Sequence, residues 1–171
     1  MRKLFATAAV ALLAMAATTT AQAASAPRLR NQIGKMISAT HVRQAVMGVR
    51  ATPTRYLYKH RRQMAKLKAD YRWWRGKTTL TWKQFANPPH KSGWLCIHRY
   101  EGSWSDSGDP YWGGLQMDRG FMLTYAPRVL LRHGWANRWS PEAQMWVAER
   151  AHRSGRGYWP WPNTARFCGL L

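Results

Sequence analysis

The sequence predicts a mainly α-helical chain, with a small C-terminal domain preceded by a basic helical arm. Three observations predict it. From Tyr56 to Trp74, YLYKHRRQMAKLKADYRWW is rich in helix formers and free of Gly and Pro, with a ragged apolar stripe of Leu57, Met64, Leu67 and Tyr71. Ser140-Pro141 joins a capping hydroxyl to a proline at the first helical position, and Glu142 suits the positive end of the helix dipole. The third is charge: of the net +20, residues 27–90 hold 15 Lys and Arg against Asp70 alone, whereas residues 91–171 hold 10 against 6 acids.

Taken in order, Met1-Arg2-Lys3 is a positive n-region, Leu4 to Ala17 is apolar, and Ala21-Gln22-Ala23 is a small-residue cleavage site. This pattern predicts a secretory signal over residues 1–23; an uncut anchor is the alternative, but the apolar run is short for a membrane span. Cleavage leaves roughly 150 residues, enough for one domain. Residues 24–89 read as a basic linker and helical arm. Pro27, Gly34, Gly48 and Pro53 interrupt its first part, which predicts short, marginal helices up to residue 54, and the basic helix follows, ending in Trp73-Trp74. In residues 79–93, Leu80 and Trp82 suit either a short strand or, with Phe85, a cap on the core, before a proline-bearing turn.

The domain predicted over residues 90–171 begins with a helix. Trp94, Leu95, Ile97 and His98 have helical spacing, and Gly102 is a natural stop in the left-handed conformation. Glu101 then lies at a helix C-terminus. There the dipole, with an apolar wall of Tyr100, Trp104, Tyr111 and Trp112, is expected to raise its pKa and keep it able to donate a proton. A Gly/Ser-rich loop leads to Tyr111-Trp112-Gly113-Gly114-Leu115-Gln116-Met117, a two-glycine turn among apolar residues. Arg119 to Ala126 reads as helical with Phe121, Met122 and Tyr125 inward. Pro127 opens a further stretch that Gly134 ends. The helix begun at Ser140 is expected to reach about Ser154, with Met145, Trp146, Ala148 and Ala151 on apolar faces and Glu149–Arg153 as an i,i+4 pair. Tyr158, Trp159 and Trp161 form either the wall of a groove or a plug over the core.

A protonated carboxyl beside aromatic rings suits general-acid cleavage of a glycosidic bond, because the departing oxygen needs a proton and sugars stack on aromatic faces. A solvated helix-end Glu is the plainer reading of Glu101. No second catalytic acid stands out: Asp106 and Asp109 read as turn residues, and Asp118 as a helix cap.

At these residues the chain resembles a known family. Glu101-Gly102-Ser103-Trp104 followed by Tyr111-Trp112-Gly113-Gly114-Leu115-Gln116 is similar to the E-S-x-G-x-W … Y-x-G-G-L-Q pattern of the resuscitation-promoting factors, part of the lysozyme-like and lytic transglycosylase group. Ser140-Pro141-Glu142-Ala143-Gln144 with Val147-Ala148-Glu149 resembles that family's S-x-E-Q-x-x-V-A-E helix, and Trp161-Pro162 before Cys168-Gly169 its C-terminal end. The order of Gly102 and Ser103 is swapped relative to the family, and Cys96 lies five positions before Glu101 where the family's cysteine directly precedes it. The resemblance implies a small lysozyme-like, transglycosylase-like domain that cleaves peptidoglycan. The resemblance implies Glu101 as the catalytic residue, and Trp104, Tyr111, Trp112 and Gln116 as the substrate-binding groove. In that group a single Glu protonates the oxygen between N-acetylmuramic acid and N-acetylglucosamine. It then takes a proton from the muramyl 6-hydroxyl, giving a 1,6-anhydro product, or from water, giving hydrolysis.

Export favours pairing of the two cysteines, Cys96 with Cys168, over two free thiols, and such a bridge contributes roughly 4 kcal/mol in the chain-entropy model. No metal site is expected, because the six histidines show no ligand spacing with either cysteine, and no cofactor is expected. The expected partners are peptidoglycan glycan strands at the domain, and anionic wall polymers or a membrane surface along residues 27–90. Nucleic acid is not expected, since export removes the usual opportunity; a solvated spacer is the plain alternative for the arm. The location implied is secreted, extracellular or wall-associated. Two other classes compete: a non-catalytic wall-glycan-binding module that does not need Glu101, and a basic membrane- or polyanion-binding protein in which the arm does the work.

Overall fold

The computed structural model describes residues 6–54 and 63–171, with side chains from residue 26 onward. The predicted n-region Met1-Arg2-Lys3, the side chains of the predicted signal, and the predicted helix start from Tyr56 through Arg62, Leu57 included, lie outside the described residues. Among the described residues the chain is mainly helical. In order come α1 (Ala6–Met47), α2 (Met64–Phe85), α3 (Lys91–Glu101), β1 (Tyr111–Trp112), β2 (Met117–Asp118), α4 (Arg119–Tyr125), α5 (Arg128–Leu131), α6 (Pro141–Ala151) and α7 (Pro162–Phe167). The two strands pair antiparallel, Tyr111 with Asp118 and Trp112 with Met117. No helix among the described residues is long and apolar enough to cross a membrane.

The chain divides into two compact units, Met1–Ser38 with Pro53–Thr78, and Ala39–Thr52 with Thr79–Leu171. In the first, Ile33 and Ile37 of α1 and Leu67 and Trp74 of α2 form a small buried cluster, with Leu29, Met36 and Tyr71 packed around it. Thr78 Oγ1 donates to the Met36 carbonyl at 3.3 Å.

α1 corrects the expected linker of short helices. It runs through Pro27 and Gly34 as one helix, and its buried positions Ile33, Ile37, Thr40, Gln44 and Met47 step by four and three residues along one face. Thr40 and Gln44 are polar, so the stripe does not show as apolar periodicity. Burial of Gln44 is matched by hydrogen bonds: its Nε2 donates to Thr52 Oγ1 at 2.8 Å and its Oε1 accepts from the Thr52 amide at 3.0 Å. Gly48, at φ 72°, ends the helix with Gly48 N to Ala45 O and Val49 N to Gln44 O bonds, the paired pattern of a left-handed glycine cap. α2 likewise does not stop at Trp74 but continues to Phe85, so Leu80 and Trp82 are helical rather than a strand. Phe85 enters the core, while Trp82 stays 45% exposed beneath the Arg43 guanidinium.

The second unit is arranged around α6, which is buried without a break from Ala143 to Glu149. Ser140 Oγ accepts from the Ala143 amide, the N-cap that the sequence predicts. α3 and α4 pack on α6, and α7 packs on α3. Trp94, Ile97, Leu115, Met122, Met145 and Val147 are almost wholly buried between them, and each aliphatic or Met side chain of this set contributes about 1.5–3 kcal/mol by burial. α6 becomes a wider turn over His152–Arg156, where Gly155 sits at φ 94°, so the α-helix ends at Ala151 rather than near Ser154. The disulfide Cys96–Cys168 joins α3 to the residue after α7, with the Cα atoms 6.0 Å apart.

Candidate active site

Glu101 is the last residue of α3, and the chain leaves the helix through Gly102 at φ 149°, ψ −167°. That conformation is essentially confined to glycine, though it is extended rather than the left-handed turn the sequence suggests. Thr164, in the first turn of α7, donates its hydroxyl to Glu101 Oε1 at 2.8 Å. The carboxylate therefore has one oxygen held by the protein and the other outside that bond. Beside it opens a cleft of about 310 Å³ lined by Glu101, Tyr111, Gln116 and the Pro160–Thr164 segment.

Two of the four predicted groove residues line this cleft. Tyr111 is 48% exposed there, and the Gln116 amide donates to Asp106 Oδ2 at 2.7 Å and to the Gly113 carbonyl at 3.0 Å. Trp104 does not line it: its ring stacks on His98 at 3.9 Å between centroids, and it packs against the core. Trp112 also lies elsewhere. Neighbours in a strand point to opposite faces, so Tyr111 turns to the Glu101 cleft while Trp112 meets Trp135 in a second cleft of about 400 Å³ with Arg119 and Asp118. Tyr100 leans on Phe167, away from the expected apolar wall. Trp161 takes over as wall and plug at once: it lines the cleft, is 5% exposed, packs on Trp94 and Phe121, and donates its indole N–H to the Leu115 carbonyl at 2.6 Å.

The hairpin tip that carries Gln116 is fixed from below by Gln144, which is fully buried in α6. Its Oε1 accepts from the Gly114 amide at 2.9 Å, and its Nε2 donates to the carbonyls of Trp104 and Ala136, both at 2.8 Å. Gly113 and Gly114 are needed at this contact, since a Cβ on Gly114 would stand 2.6 Å from both His98 Nδ1 and Trp104 Cε3. Asp106 and Asp118 hold structural bonds. Asp106 Oδ1 accepts from the Gly108 amide at 3.1 Å while Oδ2 holds Gln116. Asp118 caps α4 by accepting from the Phe121 amide at 2.7 Å, as the sequence suggests.

Pro160, Pro162, Asn163 and Thr164 line the cleft without having been expected there; the signal available was Pro162 at the first position of a short helix, which makes Thr164 its third residue.

A second polar group lies away from Glu101. The Glu149 carboxylate is not the i,i+4 partner of Arg153: Glu149 is fully buried, and Arg153 donates to the backbone carbonyls of Glu149 and Met47 instead. The Glu149 carboxylate accepts from Trp94 Nε1 and the His90 amide, both at 2.8 Å, and lies 3.1 Å from His90 Nδ1. With His152 it forms a compact donor group, its atoms within 4.8 Å of one another. Burial, then the neighbouring His90, holds His152 below the usual histidine range against the pull of Glu149. Burial and Glu149 push the adjoining Tyr158 phenol up. Cysteine-histidine spacing does not mark this group, whereas Glu149 in the last turn of α6 with His152 three residues on, just past its end, was the available signal.

Neither a family model nor a curated protein matches this chain.

Proposed function

We propose that the chain is an exported peptidoglycan-cleaving enzyme, a lytic transglycosylase or muramidase built on a lysozyme-like domain, with Glu101 as its single general acid and base. The observation that carries this reading is the placement of Glu101. A carboxylate at a helix end, tethered through one oxygen to Thr164, opens onto a cleft with an exposed tyrosine and a glutamine amide. A sugar ring stacks on Tyr111, and Gln116 fixes its hydroxyl or amide substituents. Glu101 then gives its proton to the glycosidic oxygen between N-acetylmuramic acid and N-acetylglucosamine. As carboxylate it takes a proton from the muramyl 6-hydroxyl, closing an anhydro ring, or from a water, giving a reducing end. Asp106 and Asp118 are engaged in a turn bond and a cap bond, which favours a mechanism with one carboxylate over a double displacement that would recruit either of them.

The basic arm, residues 27–90, serves in this reading as an attachment to anionic wall polymers or a membrane surface, through long-range attraction rather than a shaped site.

The test is mass spectrometry of soluble fragments released from purified peptidoglycan by the protein and by Glu101→Gln. Anhydromuramyl products lost in the variant support a transglycosylase, and reducing-end products lost in it support a hydrolase. If neither protein releases fragments while both sediment with the wall, the chain is a binding module and the enzyme reading is overturned.

A further inference from the structure

We propose that His90, Glu149 and His152 form a binding site for a divalent transition-metal ion of the zinc type. The inference stands on geometry apart from the Glu101 cleft and does not depend on the reading of that cleft.

Glu149 is the anchor. Its side chain is 0% exposed, and a buried carboxylate is costly unless it is both hydrogen-bonded and matched by positive charge. The hydrogen bonds are present, from the Trp94 indole and the His90 amide to Oε1. These two donors hold the carboxylate in a fixed orientation, as the outer partners of metal ligands do. The matching charge is not a guanidinium, because Arg153 is turned to the Glu149 and Met47 carbonyls. What faces the carboxylate is imidazole, with His90 Nδ1 at 3.1 Å from Oε2 and His152 three residues along from Glu149.

Two imidazoles and one carboxylate are a donor set that suits zinc, and three protein ligands leave a fourth position for water. The distances fit after small movements. Tetrahedral bonds of about 2.0 Å place donors about 3.3 Å apart, and the three donor atoms already lie within 4.8 Å of one another. The His90 and His152 rings lie 4.1 Å apart and 34° from parallel, so turning them toward a common point closes the gap. His90 has the room to turn, its side chain being 41% exposed, and the same exposure gives an ion its way in. Tyr158 closes the other side, its ring edge-on to both imidazoles. A bound ion would clamp the start of α3 to the end of α6 and supply the counter-charge of Glu149, which makes its first role structural.

The test uses the full chain with its disulfide intact, stripped with a chelator and titrated with zinc chloride alone by calorimetry at neutral pH, with thermal unfolding followed in parallel. One equivalent is expected to bind and to raise the unfolding temperature. His90→Ala and His152→Ala are each expected to weaken binding by about tenfold or more, while His133→Ala, at an exposed distant histidine, leaves it unchanged. His90→Ala alters a half-exposed side chain, so it keeps the test valid if the His152 variant fails to fold. Absence of saturable binding, or equal binding by the wild type and His90→Ala, would overturn the proposal.

Discussion

The Thr164 hydroxyl donates to Glu101 Oε1 at 2.8 Å, and this bond joins the last residue of α3 to the first turn of α7. Thr164→Val keeps the shape of the side chain and removes the donor. A hydrogen bond to a charged group is worth about 1.5–3 kcal/mol, and 1.36 kcal/mol is tenfold in rate. Fragment release from peptidoglycan is therefore expected to fall by about 10- to 100-fold, with the unfolding temperature little changed, and Thr164→Ser is expected to restore most of it. A Val variant with full activity would mean that the bond does not position the acid.

Gln144 accepts from the buried Gly114 amide and donates to the carbonyls of Ala136, Trp139 and Trp104. Gln144→Leu fills similar volume but strands all of them, and each stranded group costs about 1–3 kcal/mol. Denaturant unfolding should show a loss of about 3–5 kcal/mol, allowing for partial relaxation.

Gly113 and Gly114 are separable by the same measurement. Gly113 combines φ 73° with a Cβ position that overlaps the Gln144 amide, so Gly113→Ala meets backbone strain and a clash together. Gly114→Ala meets only the clash with His98 and Trp104. Overpacking costs about 1–3 kcal/mol, so Gly114→Ala is expected near the upper part of that range and Gly113→Ala beyond it. Equal losses would show that the positive φ at Gly113 carries no cost.

How much of this was legible follows from where each signal resides. The start of α6 was legible because a cap is local: Ser140 and Ala143 are three residues apart, and hydroxyl, proline and acid act within one turn. The end of α3 at Glu101 was legible for the same reason. α1 was not, because its buried face includes the polar Thr40 and Gln44, and the burial of Gln44 depends on Thr52 beyond the helix. Glu149 was read as the i,i+4 partner of Arg153, from local spacing alone; its actual partners, Trp94 and His90, lie 55 and 59 residues away. The groove was half legible. The aromatic residues were visible, but which face of a two-residue strand each would take, Tyr111 toward Glu101 and Trp112 toward Trp135, depends on a register set by the hairpin.

The bridge between Cys96 and Cys168 closes a loop of 72 residues that contains every element from the end of α3 to α7. In the chain-entropy model, cross-linking ends that far apart removes enough freedom from the unfolded chain to stabilise by about 4 kcal/mol. For a domain of this size that is a large share of the 5–15 kcal/mol typical of folded proteins. The bridge also has a local effect: Cys96 precedes Glu101 by five residues and Cys168 follows Thr164 by four, so it holds together the two segments whose tips form the Glu101–Thr164 bond. The double variant Cys96→Ser, Cys168→Ser is therefore expected to unfold about 4 kcal/mol more easily in denaturant, and the wild type to match it once reduced. Under conditions where the variant stays folded, its fragment release is expected to fall as well, because the carboxylate and its hydroxyl partner lose their common tether. A variant with lowered stability but unchanged activity would assign the bridge to stability alone.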